Sequence, residues 1–510
     1  MLRSVSRACG PRRCARTLGV LALVPVAWAS LVAPAAAHDP LGPRDLPLPE
    51  WAFLWIIALL LLGLQVWWLR GAGAATTRDG RAPSGPDDVP AGAAAARVLR
   101  TVVGLLGIAV AGVAIWAGST GTTNPQANLL PTVLLVGLLV ALPVGSMVVG
   151  DVWRWLSPWG AVVDAAGVLG RRLSGPAGLP EPFRWPERWG SLPAAAVLLG
   201  LGWIQVASPV RDDPPALALM ALVYAALLLV GTGVYGRAFL HHADGFALLG
   251  RMGAALSPWT VRHGRPALRR PGAGLAALAG DRGVPAGAIA IAATGLFDGV
   301  ASTTLWSGDG GIGPRLEGLF VDLGVGPGAA STVASTVGLL LVAGLIAASA
   351  VGLAGLLRRT VGDTGPARPA RPVHPVDRRG GAGVGWDSTA ATAVTDRVGG
   401  GLVPVALAIL VAHYGALLVT EAPTVASLLS DPRGDGSDWF GTASHTGTVG
   451  GDGAVAVWLS QIAIVTAAHI GVLVTLRPVR RGARRAALRV ATVGLAAAVA
   501  SAGIALWLST

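Results

Sequence analysis

Ten apolar stretches punctuate the chain, near Trp51–Leu69, Val98–Ala117, Leu129–Val149, Ser191–Val206, Pro215–Tyr235, Pro285–Trp306, Ser331–Leu357, Leu402–Glu421, Ala454–Leu476 and Val490–Leu508. As a helix, each is about long enough to cross a ~30 Å hydrocarbon core. The segments between them alternate in charge. Five hold 29 of the 39 basic residues: the loop with Arg70, Arg78, Arg81 and Arg97, then Asp151–Gly190, Arg237–Arg282, Arg358–Arg397 and the segment from Arg477 to Arg489, with its cluster Arg477 to Arg485. The intervening loops hold almost none; Gly118–Asn128 has no charge, and the others carry only Arg211, Arg315 and Arg433. Arginine retained on one side is the positive-inside signature, and it runs unbroken through all ten stretches. The pattern predicts an all-α, polytopic membrane helix bundle of about ten transmembrane helices.

Composition moves the picture in the same direction. The chain is 53% hydrophobic and 13% charged, with a mean hydropathy of +0.61, outside the range of soluble globular domains. A net charge of +12 would suggest nucleic acid in a soluble protein. Here the arginines flank membrane spans, so anionic lipid headgroups at the inner face are the expected partner and nucleic acid is not. Every basic residue is arginine.

Residues 1–37 read as a cleavable signal peptide: Arg3 to Arg16 supply its charged region, Leu18–Val32 its apolar region, and Ala35-Ala36-Ala37 a small-residue cleavage site. An uncleaved first helix is the alternative. Cleavage places the mature amino terminus outside, makes 38–510 the integral membrane domain, and points to the plasma membrane of a bacterium. It also removes Cys9 and Cys14, the only cysteines, and with them any thiolate chemistry. Segments 71–96 and 362–400, rich in Gly, Pro and Arg, read as cytoplasmic linkers. Phe239–Trp259 reads as an interfacial amphipathic helix. Trp153, Trp155 and Trp159 suit interfacial anchoring, and the short or Pro- and Gly-bearing spans suggest broken helices.

Candidate chemistry lies where ionisable groups fall within the spans, a placement that costs ~2.5 kcal/mol or more at the bilayer centre. Asp298, His413 and His469 each sit near the middle of a predicted span. Thr294 and Ser302 give the Asp298 helix a polar face, and Tyr414 follows His413. Three uses are open for this set. It could hold a divalent metal such as Zn or Cu for hydrolysis, relay protons, or satisfy neighbouring helices by hydrogen bonding. An outer group is a second candidate. His38 at the new amino terminus offers an amine and an imidazole to a metal, and the loop Ser430–His445 brings Asp438 and His445 among Gly and Ser. A solvated turn-rich loop is the plainer reading there, and His241, His242, His263 and His374 read as solvated cytoplasmic histidines.

Several strings, in shared order, carry a resemblance: AHDPLGPRDLPLPEW from Ala37, GDVWRWLSPW from Gly150, FDG from Phe297, AHYGALL from Ala412 and SDPRGDGSDWFGTA from Ser430. In these the chain resembles the actinobacterial multi-pass membrane proteins called fenitrothion hydrolases, over most of its mature length. The resemblance implies cleavage of an organophosphate triester, for which a metal-bound hydroxide is a reasonable nucleophile. It brings no securely known catalytic residues with it, and Ser157 and Gln205 stand where Asn and an acid are expected of relatives. The residues themselves leave two functions in view for a small-molecule or ion substrate: metal-assisted hydrolysis at Asp298, His413 and His469, or a proton-coupled transporter or metal-handling protein.

Overall fold

A computed structural model describes residues 93–174, 183–262, 265–269, 272–362, 388–415 and 417–444. The signal segment, the predicted spans Trp51–Leu69, Ala454–Leu476 and Val490–Leu508, and most of both linkers lie outside these residues. The described chain is helical apart from a small hairpin, β1 (Trp259–Arg262) and β2 (Arg265–Leu268), paired antiparallel with Trp259 opposite Leu268.

Six described helices are long and apolar enough to cross a membrane. They belong to α1 (Ala93–Thr120), α2 (Leu129–Val149), α5 (Leu192–Val206), α6 (Pro214–Tyr235), α9 (Gly283–Ala301) and α12 (Pro327–Gly362). On the side predicted to be inner, the short α3 (Trp153–Leu156) and α4 (Pro158–Ser174) follow α2, while α7 (Arg237–Ala243) and α8 (Gly245–Leu256) follow α6. On the side predicted to be outer, α10 (Thr304–Ser307) and α11 (Ile312–Asp322) connect α9 to α12. The predicted eighth span, Leu402–Glu421, is not one continuous helix. It is the apolar end of α13 (Ser388–Tyr414), which stops before Gly415 and resumes as α14 (Leu417–Thr420) and α15 (Ala422–Ser430).

The sandwich α5–α9–α13 forms the centre. In α9, 61% of the apolar window is buried, against 17–33% in the other five spans. Lipid tails are as apolar as Leu, so helices in a bilayer associate by close packing and by polar contacts between them. Small residues allow that closeness here. A Cβ on Gly202 would lie 1.9 Å from Thr294 Oγ1, one on Gly283 would strike the Ser191 backbone, one on Gly295 would meet Ile409, and one on Gly399 would meet Pro285. Partner numbers rise together along both contacts, so the three helices run parallel, with α6 and α12 as the return spans. Large apolar side chains on α1, α6 and α12, including Leu105, Val230 and Leu345, face outward and exposed, as a lipid-facing girdle would.

Two local features shape this bundle. The middle of α2, Val133–Ala141, is wound as a π-helix, closed by the Leu142 N–H reaching Gly137 O. Pro143 follows at once. It has no N–H for the Leu139 carbonyl and its ring crowds that carbonyl, and a wider winding relieves the crowding. The second feature is α8, expected as an amphipathic helix on the membrane surface. It is instead wedged among the inner ends of α2, α5 and α9, with Leu248, Leu249 and Met252 all 0% exposed. Gly250 and Gly253 bring it against Ser146 and the Pro143 carbonyl.

Gly202→Ala should lower stability by about 1–3 kcal/mol through overpacking against Thr294. Gly200→Ala, where a new Cβ meets nothing within 4 Å, should be neutral or slightly stabilising. Thermal unfolding of the detergent-solubilised variants checks the pair; equal effects at both glycines would contradict this packing.

Candidate functional site

Asp298 lies in the last turn of α9 and His413 in the last turn of α13. The two helices pack in register at Gly295, whose added Cβ would meet both Ile409 and the His413 Cβ. This brings His413 Nε2 to 3.0 Å from Asp298 Oδ2, and Tyr414 Oη donates to the same oxygen at 2.7 Å. Tyr414 is buried, and the ring of His413 stands edge-on to it with centroids 4.5 Å apart. The Asp298 and His413 side chains keep 25% and 21% exposure. Both partners of Asp298 use Oδ2, so among the described residues Oδ1 and His413 Nδ1 are left available.

The predicted span Pro285–Trp306 placed Asp298 near its middle, whereas α9 runs from Gly283 to Ala301. Asp298 is fifteen residues from the start of α9, about 22 Å at 1.5 Å per residue, in the last third of that helix. The helix stops there because Ser302 and Thr303 turn their hydroxyls onto the Gly299 and Val300 carbonyls. Thr294, expected on the polar face beside Asp298, bonds instead to Ala290 O within its own helix. His469 lies outside the described residues, as do His38 and His445. Among the described residues, no three His, Cys, Asp or Glu groups gather as metal ligands.

The outer loop is a built turn. Asp431 accepts from the N–H groups of Asp435 and Gly436 and from Ser437 Oγ. Partial burial opposes its ionisation, but the Gly436 and Asp435 bonds outweigh it and hold the carboxyl below the usual range. Asp438, placed in the candidate outer group, is exposed and accepts from Ala443 N–H. Arg433 lies over the Trp116 ring at 5.0 Å and donates to Thr120 O, tying the loop to the outer end of α1.

Two polar clusters on the inner side were not expected. Asp244, 1% exposed, accepts from Trp153 Nε1 at 2.6 Å, from Tyr224 Oη at 2.7 Å and from the N–H groups of Phe246 and Ala247. Burial raises its pKa, and these four donors work against the rise. Trp153 is therefore an internal strut, unlike Trp155, which is exposed. The second cluster centres on Ser191 Oγ, which donates to Asp281 Oδ2 at 2.6 Å and accepts from Arg251 at 2.9 Å, with His242 Nδ1 at 3.1 Å. Asp281 also accepts from the N–H groups of Ser191 and Gly283, so one carboxylate holds the starts of both α5 and α9. The burial around Asp281 is outweighed by these Ser191 and Gly283 bonds and by Arg251, leaving its pKa lowered.

His242, expected as solvated, is half-buried in this cluster, while His241 beside it is exposed as expected. Trp185 stacks on His242 at 5.5 Å, and Arg251 Nη1 donates to His241 Nε2 at 2.9 Å. An Arg has no acceptor, so His241 presents a bare nitrogen there and is held neutral. Burial of that ring edge, then the Arg251 charge, pushes its pKa down to about 4. One sequence signal was available for this side of the molecule: Asp244 followed by Gly-Phe-Ala-Leu-Leu is an N-cap before an apolar helix, and Asp244 caps α8 in that way.

Comparison of the chain with family models, curated proteins and solved structures finds no match in any of the three.

Asp244→Asn should cost about 1–3 kcal/mol, because an amide nitrogen must then face either the Trp153 N–H or the Tyr224 hydroxyl; unfolding of the purified variant measures it. The His241 contribution has a defined sign. Its folded pKa lies below the unfolded value near 6.5, so between about pH 6.5 and 4 the unfolded chain binds more protons and stability falls as pH falls. The ring is partly exposed, so the loss should stay below about 1 kcal/mol. It should vanish in His241→Gln, and an unchanged pH slope in that variant would remove His241 as its source.

Proposed function

We propose that this multi-pass membrane protein handles protons, as a proton-coupled carrier of a small molecule, through Asp298, His413 and Tyr414. One observation carries the reading: a carboxylate oxygen within the bundle takes hydrogen bonds from both an imidazole and a phenol, while the far nitrogen of that imidazole has no partner among the described residues. Imidazole exchanges protons near neutral pH and has two nitrogens through which to pass them. The carboxylate compensates the imidazolium when it forms, and the carbonyl ends of α9 and α13 favour a cation beside them. Tyr414 fixes the carboxylate orientation without adding charge. The arginine alternation supports a plasma-membrane orientation with the basic loops and the Asp281 cluster inside, facing anionic headgroups, and the mature amino terminus outside.

Metal-assisted hydrolysis, implied by the fenitrothion hydrolase resemblance, is the second reading. Asp298 and His413 would supply two ligands and His469 the third, with two positions left for water and substrate.

Proteoliposomes containing a pH-sensitive dye separate the two. Under the carrier reading, Asp298→Asn and His413→Ala each lower proton flux at least about tenfold, as loss of a positioned acid–base group does; Tyr414→Phe lowers it less, and purified protein carries no stoichiometric metal. One bound zinc or copper per chain, lost in His413→Ala and His469→Ala, would replace the carrier reading with the hydrolytic one.

A further inference from the structure

A cavity of about 1080 Å³ opens among α1, α2, α5 and α6, at or above the top of the roughly 300–1,000 Å³ range of small-molecule sites. Its walls are apolar and include six residues of the π-wound segment of α2. Its inner floor carries the rings of Trp153, Trp159, Tyr224 and Phe246, of which Trp153 and Tyr224 are held in place by Asp244. Its outer mouth carries Gln126, Gln205, Arg211, Asp212 and Glu421. From Val197 to Gln205 on α5 the wall is about 12 Å tall.

The charges at the mouth decide what fits. Arg211 is already matched, pairing with Asp212 at 3.2 Å and donating to Gln205 O. Glu421 has no side-chain partner among the described residues and stands half-buried where α14 gives way to α15. An apolar chamber with one unmatched carboxylate at its entrance and aromatic faces at its floor is complementary to a bulky apolar cation. Loss of water from such a cation is offset by apolar burial, by the carboxylate and by ring faces.

We infer that this cavity binds a lipophilic organic cation, with Glu421 as its counter-ion at the mouth and the aromatic floor receiving its apolar body. The inference names the substrate class of the carrier and in that respect rests on the carrier reading above. The binding site itself is separate from Asp298 and His413, none of whose atoms line it.

The test uses the full chain in phosphatidylcholine nanodiscs, with radiolabelled tetraphenylphosphonium as the probe and triphenylphosphine oxide as its neutral counterpart. Saturable binding of the cation is expected, weakened about tenfold by Glu421→Gln (1.4 kcal/mol per tenfold) and restored by Glu421→Asp. Gly200→Phe should abolish binding without unfolding the protein, because Gly200 lines the cavity and a Cβ there meets nothing within 4 Å. Equal affinity in Glu421→Gln, equal competition by triphenylphosphine oxide, indifference to Gly200→Phe, or a co-purified phospholipid that the cation does not displace would each overturn the inference. Cation binding that survives Asp298→Asn in a protein that moves no protons would sink the carrier reading alone. Proton flux without cation binding would sink this site alone.

Discussion

Everything in the described bundle depends on how closely α9 approaches its two parallel neighbours. A bilayer offers no hydrophobic reward for bringing helices together, so contact distance governs the attraction between them. Gly202 admits Thr294, Gly283 admits the Ser191 backbone, and Gly295 admits Ile409. The same register that seats these contacts also sets Asp298 opposite His413. A side chain at Gly295 would push α13 from α9 and draw His413 away from Asp298, a loss added to that of the packing. Packing and chemistry are therefore one constraint, read at two kinds of residue.

The inner side is organised by a different rule. Asp281 bridges the starts of α5 and α9, and Asp244 ties α8 to α3 and α6 through Trp153 and Tyr224. Helix starts present unsatisfied N–H groups, and buried carboxylates answer them while locking several elements together. The wedge helix α8 is held by both clusters, Asp244 at its cap and Arg251 on its second turn. These two clusters form a base, and the cavity opens above it.

Spans of strong apolar run were legible in the sequence. Val98, Leu129, Ser191 and Pro215 each open a predicted stretch that matches a described helix within a few residues, because continuous hydrophobicity over a membrane-length segment has few other uses. Helix ends were less legible. Pro285–Trp306 and Leu402–Glu421 were drawn as single apolar stretches; Pro- and Gly-bearing spans were expected to break, but hydropathy counts side chains and does not locate the break at Gly415 or the hydroxyls of Ser302 and Thr303 that bond back to carbonyls. The meeting of Asp298 with His413 was visible only as two ionisable groups in apolar surroundings; which helices are neighbours depends on glycine notches whose partners the sequence does not pair. His242 was read as solvated for the same reason: its contact with Ser191 spans 51 residues of sequence, and only the fold unites them, whereas His241 is exposed as expected.

Infrared difference spectroscopy of the protein in lipid, recorded across a pH titration, tests the central claim most directly. A proton-exchanging centre predicts carboxylate and imidazole bands that change together in a single titration, shift in Tyr414→Phe, and disappear in both Asp298→Asn and His413→Ala. Bands that titrate independently, or that persist when either partner is removed, would contradict it.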